Sequence, residues 1–293
     1  MQTLSLADFM KLRRLVYRGA RPLEFTMWKC AFESGGYDDF LDVVASYQNA
    51  DGGFGHNIEA NNWNPNSSPY VTDCAIGQMG RAGGLPDRDH PVVRGIIKYL
   101  ASGEHCTLDG WAVGIPSNND YSHAPWFHYD PQRGEEANAG LTNSLSDFIL
   151  KYADAGSGIY QKAAAFHERY KPAAPQAVPD FSNYDPSKYE PWMPMPTDFA
   201  KSPDSENYPA LKNIIDMQLD AMAGRLKNMD ELPVMHEKEI KEWDERVPRA
   251  DGQPWHDSEQ IIGSYYWGCS DIISQIEILN RFGRLEFQLP YIK

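Results

Sequence analysis

The sequence has few positively charged residues for its length. Its 293 residues include 27 Lys and Arg against 41 Asp and Glu, which gives a formal net charge of −14. Phosphate backbones repel such a chain, so we expect no nucleic-acid partner. No apolar run approaches the roughly 20 residues of a membrane-spanning helix, and the N-terminal residues lack the basic-then-apolar order of a signal peptide. These absences predict a soluble, cytoplasmic protein without a membrane span.

Cysteine is also scarce, and no two cysteines form a Cys-x-x-Cys pair. A chain of this length buries about three quarters of its surface on folding, so it needs no disulfide or metal for stability. We therefore predict free, mostly buried thiols, with a thiolate nucleophile at Cys74 or Cys269 as the alternative. The four cysteines are Cys30, Cys74, Cys106 and Cys269.

Alternating apolar and polar residues, the pattern of a half-buried strand, are rare, and helical spacing dominates. Leu6, Phe9, Leu12 and Leu15 fall on one stripe of a first helix. A second helix ends before the glycine pair at 35–36, and Asp38 opens a third. The pattern predicts an all-α fold, with further helices at residues 72–82, 90–101, 138–154, 158–170, 206–229 and 258–281.

An Asp-Gly turn that delivers an aromatic residue occurs three times. It stands at residues 49–55, 108–111 and 250–255, and the aromatic residues are Phe54, Trp111 and Trp255. Asp-Gly tolerates a left-handed backbone, so the chain can reverse sharply while the ring packs back on the helix ends. Helix pairs that recur with such turns are typical of a helical array or a closed α/α barrel.

The middle of the chain, residues 172–209, contains nine prolines, which forbid long helices. The same segment contains six aromatic residues, whereas a disordered linker would be poor in them. We predict an ordered, proline- and aromatic-rich extended arm within a single domain over residues 1–293; a flexible surface loop is the alternative. The aromatic residues are Phe181, Tyr184, Tyr189, Trp192, Phe199 and Tyr208.

The stretch Tyr-Gln-Asn-Ala-Asp-Gly-Gly-Phe-Gly at residues 47–55 resembles a repeat of the squalene cyclase and protein prenyltransferase β-subunit superfamily. More specifically, the chain resembles the small bacterial proteins described as prenyltransferase-like or squalene cyclase-like, which belong to this terpenoid cyclase and prenyltransferase superfamily. The resemblance implies an α/α toroid, with an inner and an outer ring of helices around a central cavity that holds a small-molecule ligand. The matching stretches are residues 55–69, 116–126, 198–205, 264–267 and 282–286.

The catalytic signatures of that superfamily are mostly missing. The Asp-x-Asp-Asp proton donor of class II cyclases is absent, and Asp73 and Cys74 are adjacent rather than spaced as in the zinc site of protein prenyltransferases. The string Asp38, Asp39 and Asp42 matches the magnesium-binding Asp-Asp-x-x-Asp motif of class I enzymes. Acidic residues are also favoured at a helix N-terminus, so we interpret the string as a helix start. No metal site is predicted and no cofactor is assigned.

Four clusters of polar and aromatic residues are rich in groups that cores avoid. In a toroid, the loops that bear them would converge on one rim of the cavity. A carboxyl in an aromatic pocket has a raised pKa and can donate a proton, and a histidine can accept one near neutral pH. The predicted catalytic residues are Glu59, His56, His123, Glu259 and Asp257. The predicted substrate-binding residues are Trp63, Asn64, Asn119, Trp126, His128, Trp255, Tyr265, Tyr266 and Trp267.

Two other interpretations of these clusters stay open at this point. Their Asn, Ser and Asp side chains can simply cap helices, as Ser67, Ser68 and Asp73 would before the helix at 72–82. His56 with Glu59, or His256 with Glu259, has a spacing that a metal site on a helix would use.

The leading functional hypothesis is acid–base chemistry on an isoprenoid or other apolar substrate in a central aromatic and acidic pocket. The first alternative is a carbohydrate-active toroid enzyme, a glycosidase or lyase with two carboxylates flanking a sugar. The second is a non-catalytic binding or scaffold protein. No heptad pattern persists, so the sequence predicts no particular oligomeric state.

Overall fold

A computed structural model of the chain describes residues 1–171, 177–188, 195–247, 249 and 252–290. Within these residues eleven α-helices and three short 3-10 helices form, and no β-strand does, which confirms the all-α prediction. The helices are α1 (Leu6–Gly19), α2 (Pro22–Phe32), α3 (Tyr37–Ala45), α4 (Pro69–Ala82), α5 (Pro91–Ser102), α6 (Ala139–Tyr152), α7 (Gly158–Tyr170), α8 (Pro196–Ala200), α9 (Tyr208–Lys227), α10 (Glu237–Arg246) and α11 (Ser258–Arg281).

The helices begin where side chains can accept the first backbone N–H groups. The Ser5 hydroxyl accepts the N–H of Asp8 at 3.2 Å and starts α1. Ser68 accepts the N–H of Val71 at 3.1 Å and starts α4, which begins at Pro69, before the predicted residue 72, because proline suits the first helical position. Within the described part of the chain, no helix is long and apolar enough to cross a membrane.

Helix α10 is not predicted from the sequence. Eight of its ten residues are charged, and only Ile240 is buried. Ile240 and Trp243 are its only apolar residues and form too short a stripe, so the pattern that reveals the other long helices is missing here.

The chain divides into two compact units, each assembled from separate segments. The first unit consists of Met1–Gly35, Ala174–Pro233 and Tyr265–Lys293; the second consists of Gly36–Ala173 and Val234–Ser264. The single domain over 1–293 stays a prediction.

In the first unit, α1 and α2 pack through aromatic rings, with Phe9 stacked on Trp28 at 5.1 Å between ring centroids. A polar network lies beside them. The Glu33 carboxylate accepts hydrogen bonds from Arg13 Nε at 2.7 Å, Tyr17 OH at 2.7 Å and Trp28 Nε1 at 2.8 Å. Partial burial acts to raise the pKa of Glu33, but these three donors outweigh it and hold the pKa below its ordinary value.

The beginning of the chain pairs with a segment near its end, also in the first unit. Leu4 N–H donates to the Arg284 carbonyl at 2.8 Å, and Glu286 N–H donates to the Leu4 carbonyl at 3.0 Å. The Arg284 guanidinium is 3% exposed and binds two carboxylates of α9, Asp216 at 2.6 Å and Asp220 at 2.7 Å.

The predicted arm at 172–209 is described in part. Residues 172–176 and 189–194, including Tyr189 and Trp192, lie outside the described residues. In the remainder, Phe181 contacts the rings of Tyr184 and Phe199, with 6.0 Å and 5.7 Å between centroids. The chain then forms α8 and enters α9 at Tyr208.

Candidate functional site

The first Asp-Gly-aromatic turn, in the second unit, is packed so tightly that only glycine fits. A Cβ on Gly52, where φ is +101°, would lie 2.0 Å from the Gly95 carbonyl oxygen of α5. A Cβ on Gly55 would lie 2.3 Å from the Pro65 carbonyl oxygen. Phe54 between them is fully buried. The glycines of this motif therefore serve close backbone packing.

The first two turns make the same hydrogen bonds to the helix that follows each of them. Phe54 N–H donates to the Thr72 hydroxyl of α4 at 3.1 Å, and Trp111 N–H donates to the Thr142 hydroxyl of α6 at 3.0 Å. The carbonyl of each aromatic residue accepts the N–H of the residue that caps the helix, Ser68 at 3.1 Å for Phe54 and Asn138 at 3.0 Å for Trp111. The predicted repeat is confirmed for these two turns.

The third turn differs from the other two. Ala250 and Asp251 lie outside the described residues. Trp255 is 3% exposed, its Nε1 donates to the Val247 carbonyl at 2.7 Å, and its backbone N–H donates to the Asp244 carboxylate of α10. The aromatic ring is again buried, but α10 anchors it in place of a threonine hydroxyl.

One face of α4 gathers groups that can carry a proton. Tyr70, Asp73 and Cys74 occupy neighbouring positions on it, three and four residues apart. Asp73 accepts a hydrogen bond from the Ser144 hydroxyl of α6 at 2.7 Å. The next position on this face is Gly77, and no described atom lies within 4 Å of where its Cβ would be. The face is therefore open one turn beyond Asp73.

Glu59 contributes a second carboxyl to this cluster. Its side chain is 4% exposed and accepts the backbone N–H of Asn61 at 2.9 Å. Burial raises the pKa of Tyr70 and of Cys74, and the negative charges of Glu59 and Asp73 raise both further. Burial also raises the pKa of Asp73, while the Ser144 hydroxyl opposes the shift. We call Glu59, Tyr70, Asp73, Cys74 and Ser144 the acid cluster.

A pair of histidines lies in the loop between α5 and α6. His123 is fully buried, its Nδ1 is 2.7 Å from the Tyr121 carbonyl oxygen, and its Nε2 is 3.2 Å from His128 Nδ1. The two rings are parallel to within 6°. Both meet the Trp255 ring edge-on, at 5.6 Å for His123 and 5.1 Å for His128.

The aromatic residues nearby form one packed group. Trp255 and Phe127 are core residues, and Trp126 and Tyr70 pack against that core. Tyr70 meets Phe127 edge-on at 5.0 Å, so the acid cluster and the aromatic group share a border. Trp63 is half-buried, and its indole Nε1 has no hydrogen-bond partner among the described residues.

The predicted binding residues Asn64 and Asn119 hold loops together. Asn64 Nδ2 donates to Ser117 Oγ and to Asn118 Oδ1, both at 2.9 Å. Asn119 makes two hydrogen bonds to the backbone of Tyr129: its Nδ2 donates to the carbonyl at 2.8 Å, and its Oδ1 accepts the N–H at 3.0 Å. These amides fix the loop geometry, and their contact with a substrate stays a prediction.

The other predicted proton carriers occupy separate positions. His56 is exposed, and its Nε2 is 2.9 Å from Asn49 Oδ1. Asp257 accepts the Gln260 N–H at 2.9 Å, as a helix cap does, and also the Ser122 hydroxyl at 2.8 Å. Glu259 accepts the neighbouring Ser258 hydroxyl at 2.8 Å. The structure brings only Glu59 of the five predicted catalytic residues into the acid cluster.

Three predicted aromatic residues, Tyr265, Tyr266 and Trp267, belong to the first unit, whereas the other predicted site residues belong to the second. Tyr265 is exposed and Trp267 is half-buried. The guanidinium of Arg21 lies over the Tyr266 ring, with Cζ 4.6 Å from the ring centroid. Arg21 also donates a hydrogen bond to the buried Glu24.

Sequence reasoning missed the roles of Tyr70, Asp73 and Ser144. The alternative interpretation of Asp73 as a cap of the helix at 72–82 is wrong, because the helix begins at Pro69. The same interpretation is confirmed for Ser68, which caps the helix. The signal that could have revealed the cluster is the spacing of Tyr70, Asp73 and Cys74 once the helix start is placed correctly. Asp38 and Asp39 lie in the first turn of α3, which confirms that they start a helix.

All four cysteines are free thiols, as predicted. Only Cys269 is buried, whereas Cys30, Cys74 and Cys106 are half-buried, so the expectation of mostly buried thiols is wrong. Burial raises the pKa of Cys74 and of Cys106, and raises that of Cys269 to about 12. These three thiols are therefore protonated at neutral pH, which argues against a thiolate nucleophile at Cys74 or Cys269. In the described segments, no three His, Cys, Asp or Glu side chains gather as a metal site would need.

Comparison of the chain with protein-family models, with curated proteins and with solved structures gives no match.

Proposed function

We propose that this chain is a terpene cyclase- or prenyltransferase-like α/α toroid that performs acid–base chemistry on an isoprenoid or other apolar substrate. The observation that carries the proposal is the acid cluster on the open face of α4. A half-buried carboxyl, Asp73, has a raised pKa there, and the charges of Asp73 and of the buried Glu59 both act on Tyr70 and Cys74. An acid that protonates a carbon–carbon double bond needs a carboxyl that keeps its proton.

The two carboxyls divide the chemistry between them. Asp73 delivers its proton to one carbon of the double bond, the π electrons form the new C–H bond, and a carbocation develops on the other carbon. The aromatic faces of Tyr70 and the adjoining Phe127 stabilise that cation. Loss of a proton from the cation to Glu59 restores a neutral product, and proton exchange with water returns the proton to Asp73.

The toroid is supported by the repeated turn. Each of α4 and α6 follows a loop whose buried aromatic residue is bonded to a threonine in the first turn of that helix. Helices joined by the same turn stack side by side in helical arrays, and a closed ring of such pairs is a toroid. We propose that α4 and α6 belong to the inner ring of helices, because the carboxyl of Asp73 and the hydroxyl of Ser144 meet between them.

The test is product formation by purified protein and two variants. Squalene, neutral terpenoids and isoprenyl diphosphates, with and without magnesium, are incubated with wild type, Asp73→Asn and Asp147→Asn, and products are identified by mass spectrometry. Asp147 is an exposed carboxyl on the same helix as Ser144 and is the matched control. Asp73→Asn should lower the rate about 10²- to 10⁴-fold, which is what general acid catalysis contributes, and Asp147→Asn should leave it unchanged.

The proposal fails if Asp73→Asn retains the wild-type rate. It also fails if the protein converts oligosaccharides and no terpenoid, which would favour the glycosidase or lyase alternative. Absence of any product from either the terpenoids or the oligosaccharides would favour a binding or scaffold protein.

A further inference from the structure

A half-open cavity of about 400 Å³ lies in the second unit, next to the first Asp-Gly turn. Its volume falls within the roughly 300–1,000 Å³ of typical ligand pockets. The nine residues that border it include Asp51, Ser67, Glu104 and His105, and none of the nine belongs to the acid cluster. The cavity is therefore separate from the proposed acid chemistry.

The charge around this cavity is negative. Two carboxylates, Asp51 and Glu104, border it, whereas no lysine or arginine of the described chain does. A third carboxylate, Glu135, pairs with His105 at 2.5 Å. Lys98 is close by, because its ammonium donates at 2.9 Å to the carbonyl of the residue before Asp51. Even with His105 protonated the sum of these charges is negative, which favours a cation over an anion.

The Asp51 carboxylate is held in place by its own turn. Its Oδ1 accepts the Gly53 N–H and the Ser67 hydroxyl, both at 2.8 Å. The Ser67 hydroxyl in turn accepts Asn49 Nδ2 at 3.0 Å. Both hydrogen bonds to Asp51 end on Oδ1, so the second oxygen, Oδ2, can accept from a ligand. A carboxylate fixed in this way needs little ordering when a ligand arrives, which favours binding.

A buried hydroxyl lies beside Ser67. Tyr99 is 1% exposed, and its hydroxyl has no hydrogen-bond partner among the described residues. A Cβ on Gly53 would lie 2.5 Å from Ser67 Cβ and 2.9 Å from Tyr99 Cδ2, so the two side chains are neighbours. Burial raises the pKa of Tyr99, and the charges of the three carboxylates named above raise it further, so the phenol keeps its proton. A buried hydroxyl without a protein partner indicates a bound water or a ligand atom.

The residues around the cavity suit an organic cation better than a metal ion. Within the described residues, no three His, Cys, Asp or Glu side chains gather as a metal site would need. An ammonium group needs only oxygen atoms that accept its N–H groups, and its hydrogen bonds to carboxylates are among the stronger ones in proteins. Two carboxylates and a volume that holds several carbon atoms favour a diamine over a single ammonium ion.

We infer that this cavity binds a small organic cation of the diamine or polyamine class. Asp51 Oδ2 and the Glu104 carboxylate accept the N–H groups of the ligand, and the Tyr99 hydroxyl oxygen accepts a further one, directly or through a bound water. The inference does not rest on the proposed function, and either can be present without the other.

The experiment measures the binding of putrescine to the full chain by isothermal titration calorimetry. The diol with the same carbon chain, which has hydroxyl groups in place of the ammonium groups, is the matched neutral ligand. Putrescine should bind at millimolar concentrations or below, and the diol should not. The affinity for putrescine should fall as sodium chloride is added, because salt screens exposed charges.

Asp51→Asn and Glu104→Gln should each weaken putrescine binding about tenfold or more, which is the scale of one charged hydrogen bond. Both variants keep an oxygen for the contacts within the protein. Asp109→Asn is the matched control, because Asp109 holds the equivalent place in the second Asp-Gly turn and pairs with Arg169. It should leave the affinity unchanged. If Asp51→Asn does not fold, Glu104→Gln decides, since Glu104 is exposed.

Tyr99→Phe tests the buried hydroxyl separately. It should weaken putrescine binding severalfold, but it should not lower the free energy of unfolding, because the hydroxyl has no hydrogen bond to a described residue that could be lost. An affinity that Tyr99→Phe leaves unchanged would overturn the assignment of this hydroxyl as an acceptor.

Three results would overturn the whole inference. No heat from putrescine at millimolar concentrations would leave no ligand of the stated class. Equal binding of putrescine and the diol, or an affinity for putrescine that neither Asp51→Asn nor Glu104→Gln changes, would mean that these carboxylates do not hold the ligand. Binding of calcium or magnesium ions and not of putrescine, with a loss in both variants, would assign the cavity to metal ions.

Discussion

Thr72 and Thr142 hold the same position in two different helices and perform the same task. Each is the fourth residue of its helix, is fully buried, and accepts the backbone N–H of the aromatic residue that follows an Asp-Gly turn. The two loops differ in length and in most residues. What they share is the hydrogen bond from the N–H of the aromatic residue to the threonine hydroxyl of the following helix.

We expect Thr72→Val and Thr142→Val each to lower the free energy of unfolding by about 1–3 kcal/mol, because each leaves a buried N–H of Phe54 or Trp111 without an acceptor. Urea denaturation measures the difference. Thr26→Val is the control, since the Thr26 hydroxyl only donates to carbonyls of its own helix, at 2.8 and 3.1 Å. Equal losses at all three sites would contradict the shared role.

Two glycines test the packing of the second turn. Gly110 has φ of +138°, and a Cβ there would lie 2.1 Å from the Thr142 hydroxyl oxygen; Gly134 has φ of +76° with no described atom within 4 Å. Gly134→Ala should cost about 1 kcal/mol, from backbone strain alone. Gly110→Ala should cost about 3 kcal/mol or more, because the hydroxyl must move as well. If the two variants had similar midpoints of thermal unfolding, the close approach of Gly110 to the Thr142 hydroxyl would contribute nothing to stability.

Asp73 should make stability depend on pH in a defined direction. Burial raises its pKa in the folded protein, so the unfolded chain releases this proton first, and the wild type loses stability as pH rises from about 4 through the raised pKa. Asp73→Asn removes that loss and still accepts the Ser144 hydroxyl. The variant should be more stable than the wild type at pH 7 and equal to it below about pH 4.

Urea midpoints for wild type and Asp73→Asn across this range provide the measurement. A constant difference at all pH values would mean that Asp73 titrates normally. That result would also remove the main support for Asp73 as a proton donor.

Glu33 should behave in the opposite sense. Its pKa is held below the ordinary value by its three donors, so it stabilises the fold above the unfolded pKa of about 4.3, and this contribution disappears as pH falls through the folded pKa. Glu33→Gln should cost about 2 kcal/mol at pH 7, the scale of a hydrogen-bonded charge pair, and progressively less in acid. Glu242→Gln, which alters an exposed carboxylate 3.8 Å from Lys238, should change nothing at either pH. A loss for Glu33→Gln that stays constant into acid would refute this account.

The sequence allowed the helical class and most helix positions to be predicted because long amphipathic stripes, such as that of α1, repeat the same signal every turn. The start of α4 was missed because Pro69 and Ser68 stand ahead of the first apolar residue. Helix α10 was missed because its stability comes from contacts such as Asp244 with Trp255, which no local pattern encodes.

For the candidate site, less could be predicted from the sequence than for the fold. Composition singled out Glu59, His123 and Trp255 as candidate site residues, but could not say which of them meet. Asp73 reaches Ser144 across 71 positions of sequence, and only the packing of α4 on α6 brings them together. Local contacts are also a property of the fold: the His123 Nδ1 atom lies 2.7 Å from the Tyr121 carbonyl oxygen, which a residue list does not reveal.

The pairing of Leu4 with Arg284 bears on how the protein is made. Gln2, which accepts a hydrogen bond from the Arg284 guanidinium, leaves the ribosome 282 residues before its partner. Until Arg284 has been synthesised, the residues just before α1 lack the hydrogen bonds that they make with it. Phe54 and Thr72 are only 18 residues apart, so they can form their hydrogen bond as soon as both have left the ribosome. The turns attached to α4 and α6 can therefore form earlier in translation than the pairing of residues 2–4 with residues 284–286.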